Sequence, residues 1–238
     1  MEYIPVKTRV LLPPQDDLLA VFRESLPFLK EKDVVLISSK VVAIHEGATL
    51  LMGGEGVDKA ALVVAAADLI VPRPYWSSPL TVAHHAFLGA AGIDESNGNG
   101  YYILLPKNLF ASAEMLRTWL CQHYGVTELG VVITDSRSMP FRFGATGVAL
   151  AWAGLEPIED CRGRKDLFGR EIKYERSNIV DGLAAGANVL MGEVDECTPI
   201  VLARGIPRVK YTEENTKEQL FVPFKDDTFR ALYEKFLP

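Results

Sequence analysis

Apolar and polar positions divide this chain into elements before any chemistry is considered. Leu18, Leu19, Phe22 and Leu26 recur at helical spacing. Asp16 and Asp17 precede them at what would be the positive end of a helix, and Pro27 ends the run. "DVVLISSK" (Asp33 to Lys40) reads as a buried strand that leaves its core at Ser38 and Ser39. The Ala-rich stretch Asp58 to Ile70 predicts a helix closed off by Pro72 and Pro74. "LTVAHHAFLGAA" (Leu80 to Ala91) favours one strand, because Thr81 and Val82 follow Pro79 and a glycine closes the run. Ser112 is the expected N-cap of a helix with the stripe Met115, Leu116, Trp119 and Leu120, stopped at Gly125. "LGVVITDS" (Leu129 to Ser136) is the clearest strand and runs straight into Asp135. "ATGVALAWAG" (Ala145 to Gly154) suits either strand or helix. A second Ala-rich helix is expected from Ile179 to Met191, ending near Gly192, and a last buried strand in "TPIVLARG" (Thr198 to Gly205).

These elements do not alternate as regular strand–helix units behind a Gly-rich first turn, so the pattern predicts an α+β fold rather than a doubly wound sheet. The expected form is mixed or antiparallel sheets flanked by helices, in two lobes around a cleft. Neither GxGxxG nor GxxxxGK[ST] occurs.

Composition narrows the partners. The chain has 238 residues, 48% apolar and 24% charged, the balance of a soluble globular protein. No segment approaches the length of a membrane span, and "MEYIPVKTRV" lacks the features of a signal peptide, so no membrane partner is expected. A net charge of -6 speaks against bulk attraction to nucleic acid. Cys121, Cys161 and Cys197 are far apart and in no CxxC pair, which fits a reducing cytoplasm. His45, His84, His85 and His123 form neither HxxxH nor HExxH, so any metal would be a hard ion bound by oxygen. His84 and His85 are read as packed or surface residues.

Three apolar elements end in oxygen-bearing side chains. Ala90 and Ala91 lead to Asp94 and Asn97, Val131 to Thr134 lead to Asp135 and Ser136, and Leu190 and Met191 lead to Glu193, Asp195 and Glu196. Carboxylates delivered to one edge of a core repel one another unless a cation intervenes. Mg²⁺ typically takes one or two such groups plus substrate phosphates. An Asp after a strand is equally at home as a turn former or helix cap, and spacing alone does not show that the loops converge. Ser38, Ser39 and Lys40, at the end of a strand, could meet a nucleotide or form an ordinary turn. Arg142 in "MPFRFG" and Arg162, Arg164, Lys165 and Arg170 in "CRGRKDLFGRE" could hold an anionic substrate by forked contacts or be solvated surface charges.

Taken together, "AGIDESN", "VVITDS", "GRKDLFGRE" and "ANVLMGE" resemble the coenzyme F-420 gamma-glutamyl ligase family, in order and spacing, from "IPVK" to "VLARG". The resemblance implies an α+β, cytoplasmic, intertwined homodimer, with residues 1–238 as one catalytic unit. It implies a GTP-dependent ligase that requires Mg²⁺ or Mn²⁺ and joins L-glutamate by an amide to a carboxylate of a deazaflavin cofactor precursor, through an acyl phosphate. Carried over by motif, Asp94, Asp135, Ser136 and Glu193 match metal positions, and Ser39, Lys40 and Asn97 match nucleotide positions. Arg9 to Leu12 align with a backbone stretch near the guanine base. Asp94 and Asp135, with Arg142, are the expected catalytic residues, and Arg142, Arg164 and Arg170 are candidates for the acceptor's anionic groups. Two departures stand out. Ile44 occupies the place of a family lysine, leaving Lys40 or His45 as replacements, and "SRSMPFRFG" keeps only Arg142 and Gly144 of its expected pattern. Two rivals remain open: a folate-type gamma-glutamate ligase, and a non-catalytic nucleotide-binding sensor on the same scaffold.

Overall fold

In the computed structural model, residues 1–73 and 79–237 are described. The strands are β1 (Glu2–Val6), β2 (Val34–Ser38), β3 (Thr49–Leu51), β4 (Leu69–Val71), β5 (Leu80–Ala83), β6 (Ala86–Gly89), β7 (Tyr101–Ile103), β8 (Gly130–Ser138), β9 (Ala145–Ala153), β10 (Ile158–Asp160), β11 (Arg176–Asn178) and β12 (Ile200–Arg204). The α-helices are α1 (Leu18–Ser25), α2 (Ser39–His45), α3 (Lys59–Ala66), α4 (Leu109–Tyr124), α5 (Ile179–Met191) and α6 (Arg230–Tyr233).

The central sheet has the order β1-β12-β2-β8-β9. Only β2 and β8 run parallel within it; the other neighbours are antiparallel. Smaller sheets pair β3 with β7, β10 with β11, and β4, β5 and β6 in series. This is the α+β class with mixed and antiparallel sheets.

Strand periodicity divides the core into two layers. Val35, Ile37, Val131, Ile133, Ile200 and Leu202 face one side, with Leu18 and Phe22 of α1 and Leu116 and Leu120 of α4. Val34, Leu36, Val132, Val201 and Ala203 face the other, against Val180, Leu183, Ala184 and Ala187 of α5. All of these side chains are buried. The β8–β9 register slips between Ile133 and Thr134, where β9 carries one extra residue, so Leu150 and Ala151 both join the first layer. Gly147 brings β9 against α5 so closely that a Cβ there would sit 2.2 Å from the Ala184 carbonyl oxygen.

Several local expectations are corrected. The Asp58–Ile70 helix is shorter: Asp58 is the N-cap, bonded to the Ala61 N–H, and Leu69 to Val71 form β4 instead. Of the two prolines expected to close it, Pro74 lies outside the described residues. "LTVAHHAFLGAA" is a hairpin rather than one strand, with His84 and His85 at φ 51° and 60° in its turn. The N-cap of α4 is Asn108, whose side chain accepts from the Ala111 N–H; Ser112 lies inside the helix. Met115 is exposed, whereas Ala113, Leu116 and Leu120 form the buried stripe. "ATGVALAWAG" is the strand β9. Helix α1 starts at the Asp17 cap and ends before Pro27, and α5 runs from Ile179 to Met191 with Gly192 after it, as expected. No helix among the described residues is long and apolar enough to cross a membrane.

Candidate active site

The parallel strands β2 and β8 both end at a cavity of about 370 Å³, the usual place for a ligand at the carboxyl ends of strands. Its walls come from segments far apart in sequence. The end of β2 supplies Ser38, the start of α2 supplies Ser39 and Lys40, and β8 supplies Thr134, Asp135 and Ser136. The loop before β7 supplies Asp94, Ser96 and Asn97, and the loop after α5 supplies Gly192 to Cys197. Thr8 to Leu11 complete the rim. The three acidic loops therefore converge, and the stretch expected beside a base borders the same space, except for Leu12.

Backbone geometry explains the small residues of "AGIDESN". Ala90, Ala91 and Gly92 take left-handed φ values of 49°, 52° and 77° in succession, a conformation that costs most L-residues free energy. Buried Thr81 holds this turn: its hydroxyl donates to the Leu88 carbonyl at 2.6 Å and accepts from the Ala91 N–H at 2.7 Å. A Cβ on Gly92 would lie 2.6 Å from Leu105. Past the turn, Asp94 pairs with Ile103 by two backbone hydrogen bonds of 2.9 Å each. Its main chain is thereby fixed while its side chain borders the cavity.

The polar groups form a connected set. The Lys40 ammonium lies 2.6 Å from the Asp94 carboxylate and donates to the Ser96 carbonyl at 2.9 Å. Ser96 donates from its N–H and its hydroxyl to Asp94, at 2.8 and 2.9 Å. Ser39 donates to Asp135 at 3.0 Å, and the Ser136 N–H donates to the same carboxylate at 2.7 Å. The Ser136 hydroxyl reaches Glu193 at 3.5 Å, while Asn188 donates to the other Glu193 oxygen at 2.9 Å. Asn97 turns its amide to the Val194 carbonyl at 2.7 Å, tying two walls together.

The two aspartates differ in how readily they ionise. Burial pushes the Asp135 carboxyl up to about 6. Donors from Ser136 and Ser39 pull the other way, and repulsion from Asp94 adds to the rise. For Asp94, burial also opposes the charge, but the Lys40 ammonium and the Ser96 donors outweigh it and hold the carboxyl below its usual range. A buried acid that is costly to ionise beside one already paired with a cation is an arrangement a second cation would relieve.

Among the described residues, no three His, Cys, Asp or Glu side chains are gathered closely enough to hold a metal ion alone. The donor chemistry nonetheless fits a hard ion that is completed by phosphate oxygens: the carboxylates of Asp94, Asp135 and Glu193 and the Ser136 hydroxyl border one cavity, with Lys40 supplying positive charge at Asp94.

Ser39, Lys40, Asp94, Asn97, Asp135, Ser136 and Glu193 thus share one cavity. Arg142, Arg164 and Arg170 do not border it. Arg142 is exposed in the turn between β8 and β9, and Arg164 pairs with Glu159 at 2.6 Å in the exposed excursion between β10 and β11. Arg170 is exposed in the same excursion. His45 does not border the cavity either: its Nδ1 accepts from the Leu18 N–H at 3.3 Å. Ile44 is buried in the cavity wall. Ser96 and Asn188 join the site as partners of the acids. The Asp-x-Ser spacing of Asp94 and Ser96, a common turn signal, marked the first; nothing in the sequence marked the second.

Comparison with known proteins shows the family. Residues 6–205 match the family described as F420-0:Gamma-glutamyl ligase. The chain is 34% identical to the coenzyme F420:L-glutamate ligase of Halobacterium salinarum, over 90% of each chain. It is 35% identical to that of Methanopyrus kandleri, over 87% of this chain and 86% of the relative. The identity to that of Methanococcus maripaludis is 32%, over 97% of each.

Proposed function

The chain belongs to the F420-0:gamma-glutamyl ligase family, and from that premise we propose that it joins L-glutamate to a carboxylate of a coenzyme F420 precursor through an amide bond. A nucleoside triphosphate, GTP by family resemblance, supplies the phosphoryl group, and Mg²⁺ or Mn²⁺ assists. The convergence of Ser39, Lys40, Asp94, Asp135, Ser136 and Glu193 on one cavity carries this reading.

A carboxylate is a poor acyl donor because oxide is a poor leaving group. Attack of an acceptor carboxylate oxygen on the γ-phosphorus releases nucleoside diphosphate and leaves an acyl phosphate. The glutamate nitrogen then attacks the acyl carbon, phosphate departs with the C–O bond electrons, and the nitrogen loses its extra proton. Asp94, Asp135, Ser136 and Glu193 would hold the divalent ion, whose role is to neutralise phosphate charge. Lys40 is within reach of the same space and would move from Asp94 to a phosphate oxygen. Asn97, already bonded to Val194, would keep the acidic loop closed over the phosphates. Such positioning and charge compensation supply most of the rate in phosphoryl transfer.

A homodimer belongs to the same proposal. Phe141 and Phe143 in the β8–β9 turn and Leu167 and Phe168 in the β10–β11 excursion are almost fully exposed. Apolar groups so placed suit burial against a second copy. That association would let Arg142, Arg164 and Arg170 approach the partner's cavity and the acceptor's anionic groups.

The test incubates purified protein with GTP or ATP, L-glutamate, Mn²⁺ and either the F420 precursor or a folate, and weighs the products. Addition of one glutamate to the deazaflavin, lost in Asp94→Asn with the fold retained, is expected. Glutamate added to folate alone would replace the acceptor. Nucleotide and Mn²⁺ binding with no phosphate release on any acceptor would favour a sensor, the reading to which Ile44 in the cavity wall lends support.

A further inference from the structure

A second cavity of about 530 Å³ lies beyond the edge strand β9. It is a size typical of small-molecule sites, and the proposed ligase chemistry makes no use of it. Its walls are the β5–β6 hairpin, the N-terminal end of α5 and the chain after Leu220.

Most of this wall is apolar or aromatic. Phe87, Phe221, Phe224 and Tyr233 face it, and the His85 ring stacks on Phe221 at 4.3 Å between centroids, with an interplanar angle of 10°. One charged group there is short of partners. Arg137 follows Asp135 by two residues on β8, and its Nε is buried with no hydrogen-bond partner among the described residues. Its Nη2 touches Asp181 only at 3.5 Å. Asp181 is already engaged, accepting from the Ala149 N–H at 3.0 Å and from Asn178 at 2.9 Å. Asp227 likewise accepts from the Phe229 N–H at 2.9 Å and the Tyr233 hydroxyl at 2.6 Å. Asp68 is exposed at the rim.

A guanidinium with unfilled donors matches the two oxygens of a carboxylate, and leaving a buried donor unpaired is costly. The three aspartates set a limit, because repulsion would oppose a second negative charge on the guest. We propose that this cavity is a second ligand site, taking a small monocarboxylate with a flat apolar body, its carboxylate paired with the Arg137 guanidinium and its body among Phe87, Phe221 and Phe224. The inference is independent of the ligase reading, since it concerns binding alone.

The test uses benzoate as probe against the full-length protein, by calorimetry and by soaking crystals. Benzoate should bind at least tenfold more tightly than its neutral counterpart benzamide and than the dianion phthalate. Arg137→Gln should weaken benzoate at least tenfold while leaving nucleotide turnover unchanged. Crystals should show the carboxylate on Arg137. Equal binding of benzoate and benzamide overturns the proposal even if the variant does not fold. So does unchanged affinity in Arg137→Gln, a cavity filled by a second copy of the chain, or only ordered water on Nε.

Discussion

Replacing Asp135 by asparagine should stabilise the protein while removing its activity. In the folded chain the carboxyl is pushed from an ordinary 3.8 up to about 6, first by burial and then by repulsion from Asp94. A folded pKa above the unfolded one means that the native state holds its proton more tightly. Stability linked to this group is therefore fully present below pH 3.8. It falls as pH rises between the two values and stays lost above about 6. At ~1.4 kcal/mol per pH unit, the distance between those values comes to ~3 kcal/mol. Asparagine carries no charge to desolvate, and its amide can still meet Ser39 and the Ser136 N–H. Asp135→Asn should thus unfold at a higher temperature than wild type at pH 7.5, by roughly 6–12 °C for a chain of this size. The two should converge near pH 4. Thermal and urea unfolding across pH 4 to 8, without divalent ions, measure this directly. A variant less stable than wild type at pH 7.5, or a difference that does not change with pH, would refute the argument that burial strains this carboxylate.

Two further outcomes follow from the same geometry. Lys40→Met removes the cation that holds Asp94 ionised; nucleotide turnover should fall by about 10²-fold or more. Unfolding free energy should move by less than ~1 kcal/mol, because the pair is partly exposed, and steady-state kinetics beside a melting curve separate the two effects. Gly192 sits at φ 72° and ψ -176°, where a Cβ would meet the Glu196 carboxyl at 2.0 Å. Gly192→Ala should therefore cost ~1–3 kcal/mol of stability and displace Glu193, which a loss of nucleotide turnover larger than in a Val189→Ala control would register.

The sequence exposed the site more readily through its long elements than through its short ones. β8 opens with the apolar run Val131 to Ile133, so Asp135 and Ser136 could be placed just past it, although the strand itself continues to Ser138. α5 ends at a glycine, so Glu193 could be placed just past it. Helix α2 was not legible. It has seven residues, its Ser38 cap makes no side-chain bond, and Val41, Val42 and Ile44 are β-branched, so the segment reads as strand or turn. Yet α2 is what presents Ser39 and Lys40 to the acids. The hairpin at His84 and His85 was hidden because such turns normally announce themselves with Asn-Gly or Asp-Gly. The arginines are a different case: charge density in "CRGRKDLFGRE" says nothing of location, and within one chain its side chains pair with neighbours such as Asp160 and Glu159. Convergence of the three acidic loops depends on long-range strand order, which no local pattern carries.

The claim on which the rest depends is that Asp94 and Asp135 share a divalent ion at the nucleotide phosphates. Diffraction from crystals grown with Mn²⁺ and a non-hydrolysable GTP analogue, recorded at a wavelength where manganese scatters anomalously, measures it most directly. The predicted result is a peak bonded to both carboxylates, with Lys40 withdrawn from Asp94 onto a phosphate oxygen. A nucleotide bound with the Lys40–Asp94 pair intact and manganese elsewhere would contradict it.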